Sequence, residues 1–314
     1  MKTSTSTPRA DLYTRVTERV IAGLDKGVRP WLKPWNAGHT AGRITLPLRH
    51  NGTPYRGINI LLLWGEAMAN GYTSPLWMTF KQARALEAHV RKGEHGAMVV
   101  YADRITRKET DADGHDVERE IPFLKAYTVF NVAQIEGLPA YYHAQPEAKT
   151  EKLELIQDAE RFFATTGAVI RHGGDKAYYA PALDVIQLPV PEAFRDAESY
   201  AATKAHELTH WTKHPSRLNR DFGGKRFGDT GYAREELVAE LGAAFLSADL
   251  GITPEPREDH ASYLAHWLQI LREDKRAIFA AAAHAQRAVD FLHGLSAPEN
   301  ATVEPAAEAV ESVP

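Results

Sequence analysis

The chain has no cysteine in its 314 residues. That absence excludes disulfides, thiolate metal sites and cysteine nucleophiles, and it fits a reducing compartment. Long apolar runs are also missing, since none approaches the ~20 residues that a membrane-spanning helix needs. The first ten residues, Met1 to Ala10, lack the apolar centre of a secretory signal. A cytoplasmic protein with no membrane partner is expected. What remains is an ordinary globular composition, 44% apolar and 25% charged, on a chain long enough for two domains.

The net charge of −4 conceals an uneven distribution. The first 100 residues hold 14 Lys and Arg against 6 Asp and Glu, whereas the other 214 hold 23 against 35. One part of the molecule therefore suits a polyanion and the other does not.

Within the acidic part stands His206-Glu207-Leu208-Thr209-His210. On a helix this spacing puts both imidazoles one turn apart on one face, aimed at one point. Two imidazoles suit a divalent ion, zinc first and manganese as the alternative, and Glu207 beside it can take a proton from a bound water. A third protein ligand is needed, and a second helix downstream offers one. From Tyr232 to Gly251 apolar residues recur at helical spacing, with Glu236 and Glu240 one turn apart. Glu236 is expected as the third ligand and Glu240 as an acceptor for a histidine ring N–H, although the two roles can be exchanged. Glu235, off that face, is expected to be solvated. Between the helices, residues 213–228 read as a mobile basic loop edging the cleft, with His214 solvated. Tyr263 and His266 share a helix face that would suit oxyanion stabilisation.

The basic part opens with an amphipathic helix over 11–24. Arg29-Pro-Trp-Leu-Lys-Pro-Trp35 follows, a proline-stiffened loop whose Trp31, Lys33 and Trp35 interleave rings with a cation. Such a loop is a platform for single-stranded nucleic acid, where bases stack on rings and cations follow phosphates; the alternative is that the tryptophans pack as a core edge. Tyr55, Arg56 and Asn59, in a turn before an apolar helix, are candidate phosphate contacts, as are Arg91 and Lys92 in a basic turn. A strand near 99–101 is matched by one at 126–130, with 103–120 read as a long solvent loop within an extended hairpin. A polar linker near 141–151 leads to a helix, three short strands over 168–188, and the two site helices. The expected fold class is α+β, with domains at 1–145 and 150–295 and a disordered tail at 296–314.

These residues resemble ArdC-type antirestriction proteins of conjugative plasmids. The likeness is carried by Pro34-Trp35, Tyr55-Arg-Gly-Ile-Asn59, Val90-Arg-Lys-Gly-Glu-His-Gly96, Val129-Phe-Asn-Val-Ala-Gln134, the His206–His210 motif and Arg234-Glu-Glu-Leu-Val-Ala-Glu240, and it spans about residues 8–293. The N-terminal part also resembles the N-terminal domain of plasmid TraC-type primases. The resemblance implies a single-stranded DNA-binding domain joined to a zincin-like metallopeptidase domain, with a role in shielding incoming DNA from host restriction. A protein substrate from the restriction system is implied with it. The competing expectation is a DNA-coating protein whose metal site is structural or vestigial. Phosphodiester cleavage is disfavoured, because the site region is acidic and two-metal chemistry wants more carboxylates.

Overall fold

The computed structural model describes residues 11–26, 31, 45–110, 116–143, 152–223, 230–252 and 261–296. Lys33, Trp35 and the tail beyond Ser296 lie outside them. In chain order the elements are α1 (Leu12–Asp25), β1 (Leu48–Arg49), α2 (Ile58–Asn70), β2 (Leu76–Met78), α3 (Phe80–Ala85), β3 (His89–Val90), β4 (Ala97–Thr110), β5 (Asp116–Asn131) and β6 (Ile135–Glu136). Then follow α4 (Lys152–Thr165), β7 (Val169–His172), β8 (Tyr178–Ala180), β9 (Val185–Leu188), α5 (Ala197–Trp211), α6 (Thr230–Asp249), α7 (Ala261–Glu273) and α8 (Ala277–Ser296). This mixture is the α+β class expected.

Local chemistry explains most boundaries. Asp11 caps α1 by accepting from the Thr14 N–H at 2.9 Å, and Val16, Val20 and Leu24 form its buried stripe. Thr79 and Gln82 close a capping box on α3. Gly57, at φ 56°, precedes α2, and Gly71 ends it in the left-handed conformation at φ 67°. The segment 103–120, expected as an extended hairpin in solvent, continues both strands as far as Thr110 and Asp116. β4 and β5 pair antiparallel from Ala97↔Val129 to Thr110↔Asp116, a two-stranded ribbon. Only the strand segments near 99–101 and 126–130 are marked in the sequence, because the charged sequence beyond them lacks the apolar alternation of a half-buried strand.

The strand order in the first sheet is β1-β2-β5-β4, with β3 and β6 forming a separate pair. In the second half β9 lies between parallel β7 and antiparallel β8. This small sheet flanks α5, whose residues from Thr203 to Trp211 are all buried. Lys204 in that run is neutralised by Glu160 of α4 at 2.6 Å, and its ammonium lies 4.6 Å from the centre of the Tyr200 ring.

The two halves share one apolar core. Trp31 meets Trp267 edge-on at 6.0 Å, Trp64 packs on Phe245 at 6.0 Å, and Tyr13 meets Phe279 at 4.8 Å. Polar ties accompany them: Thr17 donates to the Lys275 carbonyl at 2.7 Å, and the Gly57 N–H donates to Gln286 at 3.0 Å. Arg272 pairs with Asp25 at 2.8 Å. A fragment beginning at residue 150 would therefore expose Trp267, Phe245 and the inner face of α8, at about 1.5–3 kcal/mol per large side chain. We expect that fragment to bind a hydrophobic dye and to melt well below the full chain; a fragment as stable as the whole protein would contradict the shared core.

Candidate metal centre

α5 and α6 cross closely because Gly242 has no side chain. A Cβ built there would stand 2.5 Å from Cγ2 and 2.8 Å from Oγ1 of Thr209, a fully buried residue whose hydroxyl donates to the Ala205 carbonyl at 2.9 Å. Asp196 starts α5 as its cap, accepting from the Ser199 N–H at 2.8 Å. The histidines then fall on the face that meets α6.

There the two rings lie 4.8 Å apart, nearly perpendicular at 79°. Nε2 of His206 is 3.5 Å from Glu236 Oε2, and Nε2 of His210 is 3.4 Å from Glu236 Oε1. One ligand atom from each of His206, His210 and Glu236 lies within 4.8 Å of the others, the spacing of a single-ion site. The donor chemistry, two imidazole nitrogens and a carboxylate oxygen, fits a borderline divalent ion. Glu207 is buried on α5, next to His206 in the chain and three residues before His210. Glu240, one turn beyond Glu236, faces Nδ1 of His206 at 3.7 Å.

The outer nitrogen of His210 meets a residue expected elsewhere. Glu235 is buried, and its Oε1 lies 3.0 Å from His210 Nδ1. Its partner Arg220, from the segment expected to be a mobile loop, is also buried. Glu235 and Arg220 are buried together because Arg220 folds onto α6 beside Glu235. α6 is buried from Glu235 to Ala248, so it has no solvent face for Glu235 to occupy. The run Leu237-Val-Ala-Glu-Leu-Gly-Ala-Ala-Phe-Leu246 is apolar on nearly every side, which is the sequence signal for that burial. His214, expected to be solvated, is half-buried and bonded through Nδ1 to Ser216 at 2.7 Å; His266 is exposed, and the side chain of Tyr263 lies outside the described residues.

Electrostatics follow from this packing. Burial disfavours the charged His210 ring, but the Glu236 carboxylate and the hydrogen bonds to Glu235 and Glu236 outweigh it and raise its pKa to about 9. Burial likewise opposes the charge on Glu235, yet Arg220 and His210 hold its pKa at about 2. Glu236 is held far below the ordinary carboxylate range, burial again being overcome by the two imidazoles.

The expected DNA contacts are placed less favourably. Trp31 is fully buried against Trp267, Tyr55 is buried with its phenol pKa pushed up to about 12 by desolvation, and Asn59 locks Val100 through two 2.8 Å backbone bonds. These three hold the fold together, and a ring with no open face cannot stack a base. Arg56 is exposed but paired with Asp290, Arg91 is paired with Glu94 at 2.6 Å, and Lys92 is exposed. A feature that sequence reading missed is an aromatic strip on the ribbon: Tyr101 lies 6.2 Å from Phe123 and 6.4 Å from Tyr127, and Tyr127 is 46% exposed.

Comparison with known proteins places this geometry. Residues 10–130 match the model of the N-terminal domain of anti-restriction factor ArdC, and residues 157–284 match that of zincin-like metallopeptidases. The metal-free crystal structure of antirestriction protein ArdC from plasmid R388 superposes with a TM-score of 0.76 at 46% identity, covering 91% of this chain and 98% of that one. The chain belongs to the ArdC antirestriction family. The Mn(II)-bound structure of the same ArdC protein matches equally, with a TM-score of 0.75 at 45% identity, covering 92% of this chain and 99% of that one. Protein y4eC of Sinorhizobium fredii is 44% identical over 299 residues, covering 93% of this chain and 95% of the relative. DNA primase TraC of Escherichia coli is 42% identical over 295 residues; the match covers 89% of this chain, so it extends beyond the N-terminal part, but only 27% of the primase. Among the described residues, no helix of this ArdC-family chain is long and apolar enough to cross a membrane.

Two predictions follow from the site. Gly242→Ala forces Thr209 aside in a closed interface and should cost about 1–3 kcal/mol of stability, read from denaturant unfolding. Secondly, ligation requires a neutral ring, whereas His210 with a pKa raised to about 9 carries a proton at pH 7. Binding a divalent ion should then release about one proton at pH 7 and strengthen as pH rises toward 9. Calorimetry in buffers of different ionisation enthalpy measures that proton, and a binding heat independent of buffer would contradict it.

Proposed function

We propose that this chain is a cytoplasmic antirestriction protein that binds single-stranded DNA through its basic N-terminal half and carries a metal-dependent hydrolytic centre in its C-terminal half. The observation that carries the hydrolytic part is the Glu236 carboxylate set between the two Nε2 atoms, at 3.5 and 3.4 Å, with Glu207 buried on α5 between the two histidines in the chain.

His206, His210 and Glu236 would hold the ion, zinc or manganese. When bound, such an ion polarises a carbonyl and makes a water acidic enough to lose its proton near neutral pH. In this reading Glu207, next to His206 in the chain, accepts that proton and returns it to the leaving group, the general acid–base role of the glutamate in such a motif. Glu240 faces the outer nitrogen of His206 and favours the ring orientation in which Nε2 points inward. The Mn(II)-bound structure of the R388 relative supports a divalent ion as the cofactor.

For DNA, the excess of Lys and Arg in the first 100 residues supports a polyanion partner. Arg56, Arg91 and Lys92, exposed at turns, are the candidate phosphate contacts among the described residues, joined by Lys33 and Trp35 from the proline-rich stretch Arg29–Trp35. The Tyr101–Phe123–Tyr127 strip, with Lys125 5.1 Å from the Phe123 ring centre, supplies an open ring surface for bases.

Glu207→Ala should keep metal and DNA binding and lower any hydrolysis by 100-fold or more, a loss of about 10²–10⁴ being typical for a general base. Protection of incoming DNA in cells by that variant at the full level would mean that coating DNA is the whole function. Oligonucleotide binding should weaken steeply between about 50 and 200 mM salt. Affinity that does not change with salt would remove the phosphate-contact scheme.

A further inference from the structure

Arg220 and Glu235 form a buried ion pair to which the hydrolytic scheme above gives no task. Only 1% of the Arg220 side chain and 9% of the Glu235 side chain are exposed. The guanidinium grips both carboxylate oxygens, Nε to Oε2 at 2.8 Å and a terminal nitrogen to Oε1 at 2.9 Å. Its other N–H groups reach the Thr209 carbonyl at 2.9 Å and Thr212 Oγ1 at 3.1 Å, both at the end of α5. Oε1 of Glu235 is also the atom 3.0 Å from His210 Nδ1. Arg220, Glu235 and His210 thus form a series that ends on the inner nitrogen facing Glu236.

Stability alone is a weak reason for this arrangement. A buried ion pair pays so much desolvation that apolar residues of the same volume often serve a fold equally well. Orientation is a better reason. A guanidinium fork fixes a carboxylate in plane, where a lysine would act as a single point charge. A carboxylate so fixed presents a defined acceptor to Nδ1–H, so that the proton given up on ligation is the one on Nε2 and the lone pair it leaves faces the site. The opposite charge of Arg220 also offsets that of Glu235. The segment after α5 is folded back to deliver it, with the Leu218 N–H bonded to the Thr212 carbonyl and the Arg220 N–H to the Lys213 carbonyl, each at 3.0 Å. Lys213 stands farther off, 4.0 Å from Glu235 Oε1. His284 of α8 also feels both Arg220 and Glu235.

We infer that Arg220 is a positioning residue for the metal centre: acting through Glu235, it holds His210 as the Nδ1–H tautomer with Nε2 aimed inward, and so raises the affinity of the site for a divalent cation. This rests on His206, His210 and Glu236 being the ligands. The two histidines are consequently held by different devices, His210 by an arginine-clamped carboxylate and His206 by the neighbourhood of Glu240.

The test is titration of the full-length protein with Mn2+ and with Zn2+, by calorimetry and by competition with a chromogenic chelator. Arg220→Lys keeps the charge but loses the fork, and Glu235→Gln keeps the shape but loses the charge. Both should weaken the two ions by about 10–100-fold. Asp184→Asn removes the partner of Arg217 in the same half and serves as the control for general loosening, with affinity expected within about twofold of wild type. In the metal-free Glu235→Gln protein, the ring ¹⁵N resonances of neutral His210 should move toward the Nε2–H tautomer. Affinities near wild type in both variants, or an equal loss in Asp184→Asn, would overturn the inference. Should Arg220→Lys fail to fold, the isosteric Glu235→Gln decides the matter alone. His210→Ala distinguishes the two levels: if it binds metal normally, the ligand assignment is wrong, whereas a loss there with normal Glu235→Gln removes only the role of Arg220.

Discussion

The close crossing of α5 and α6 at Thr209 and Gly242 is the constraint on which the site depends. Only at that separation does one carboxylate, Glu236, lie within 3.5 Å of the inner nitrogens of both histidines. The crossing also removes water from both helices, so every charge on them has to be answered locally. The answers form a compact pattern. Glu236 lies between the inner nitrogens, Glu240 and Glu235 face the outer ones, Arg220 neutralises Glu235, and Lys204 pairs with Glu160. Burial and charge pairing therefore prepare the donor set before any ion arrives.

This centre is carried on a core to which both halves contribute. α8 packs along α6, the helix that presents Glu236, and its Gln286 and Asp290 hold the turn that begins α2. α1 lies against α7, with Thr17, Arg272 and Asp25 bonded across the junction. Two family models describe the chain as two regions, yet the aromatic contacts across the boundary make its folding energetics those of a shared interior. The basic turns of the first half and the metal centre of the second are thereby held on one framework.

What was legible in the sequence was what depends on local periodicity. The paired histidines and Glu236 follow from helical spacing on two segments, and the geometry brings all three together. The helices, the three short strands near 168–188 and the α+β class also followed from local pattern. What was not legible depends on what stands opposite. Trp31 belongs to a proline-rich stretch whose composition suits base stacking, but Trp267, more than 200 residues away, covers its ring. Glu235 lies off the face shared by Glu236 and Glu240, and only the folding back of residues 212–222 supplies Arg220 to it. The hairpin over 103–120 was legible, but the length of its strands was not, because its charged sequence carries no apolar alternation. The apolar character of α6 on nearly all sides was the one overlooked signal that could have placed Glu235 inside.

The most direct measurement of the central claim is the location of the ion itself, by anomalous diffraction from crystals of the full-length protein soaked in Mn2+. The account predicts one strong peak between Nε2 of His206, Nε2 of His210 and a carboxylate oxygen of Glu236. A fully soaked crystal with no peak there, or with its principal peak on other residues, would contradict it.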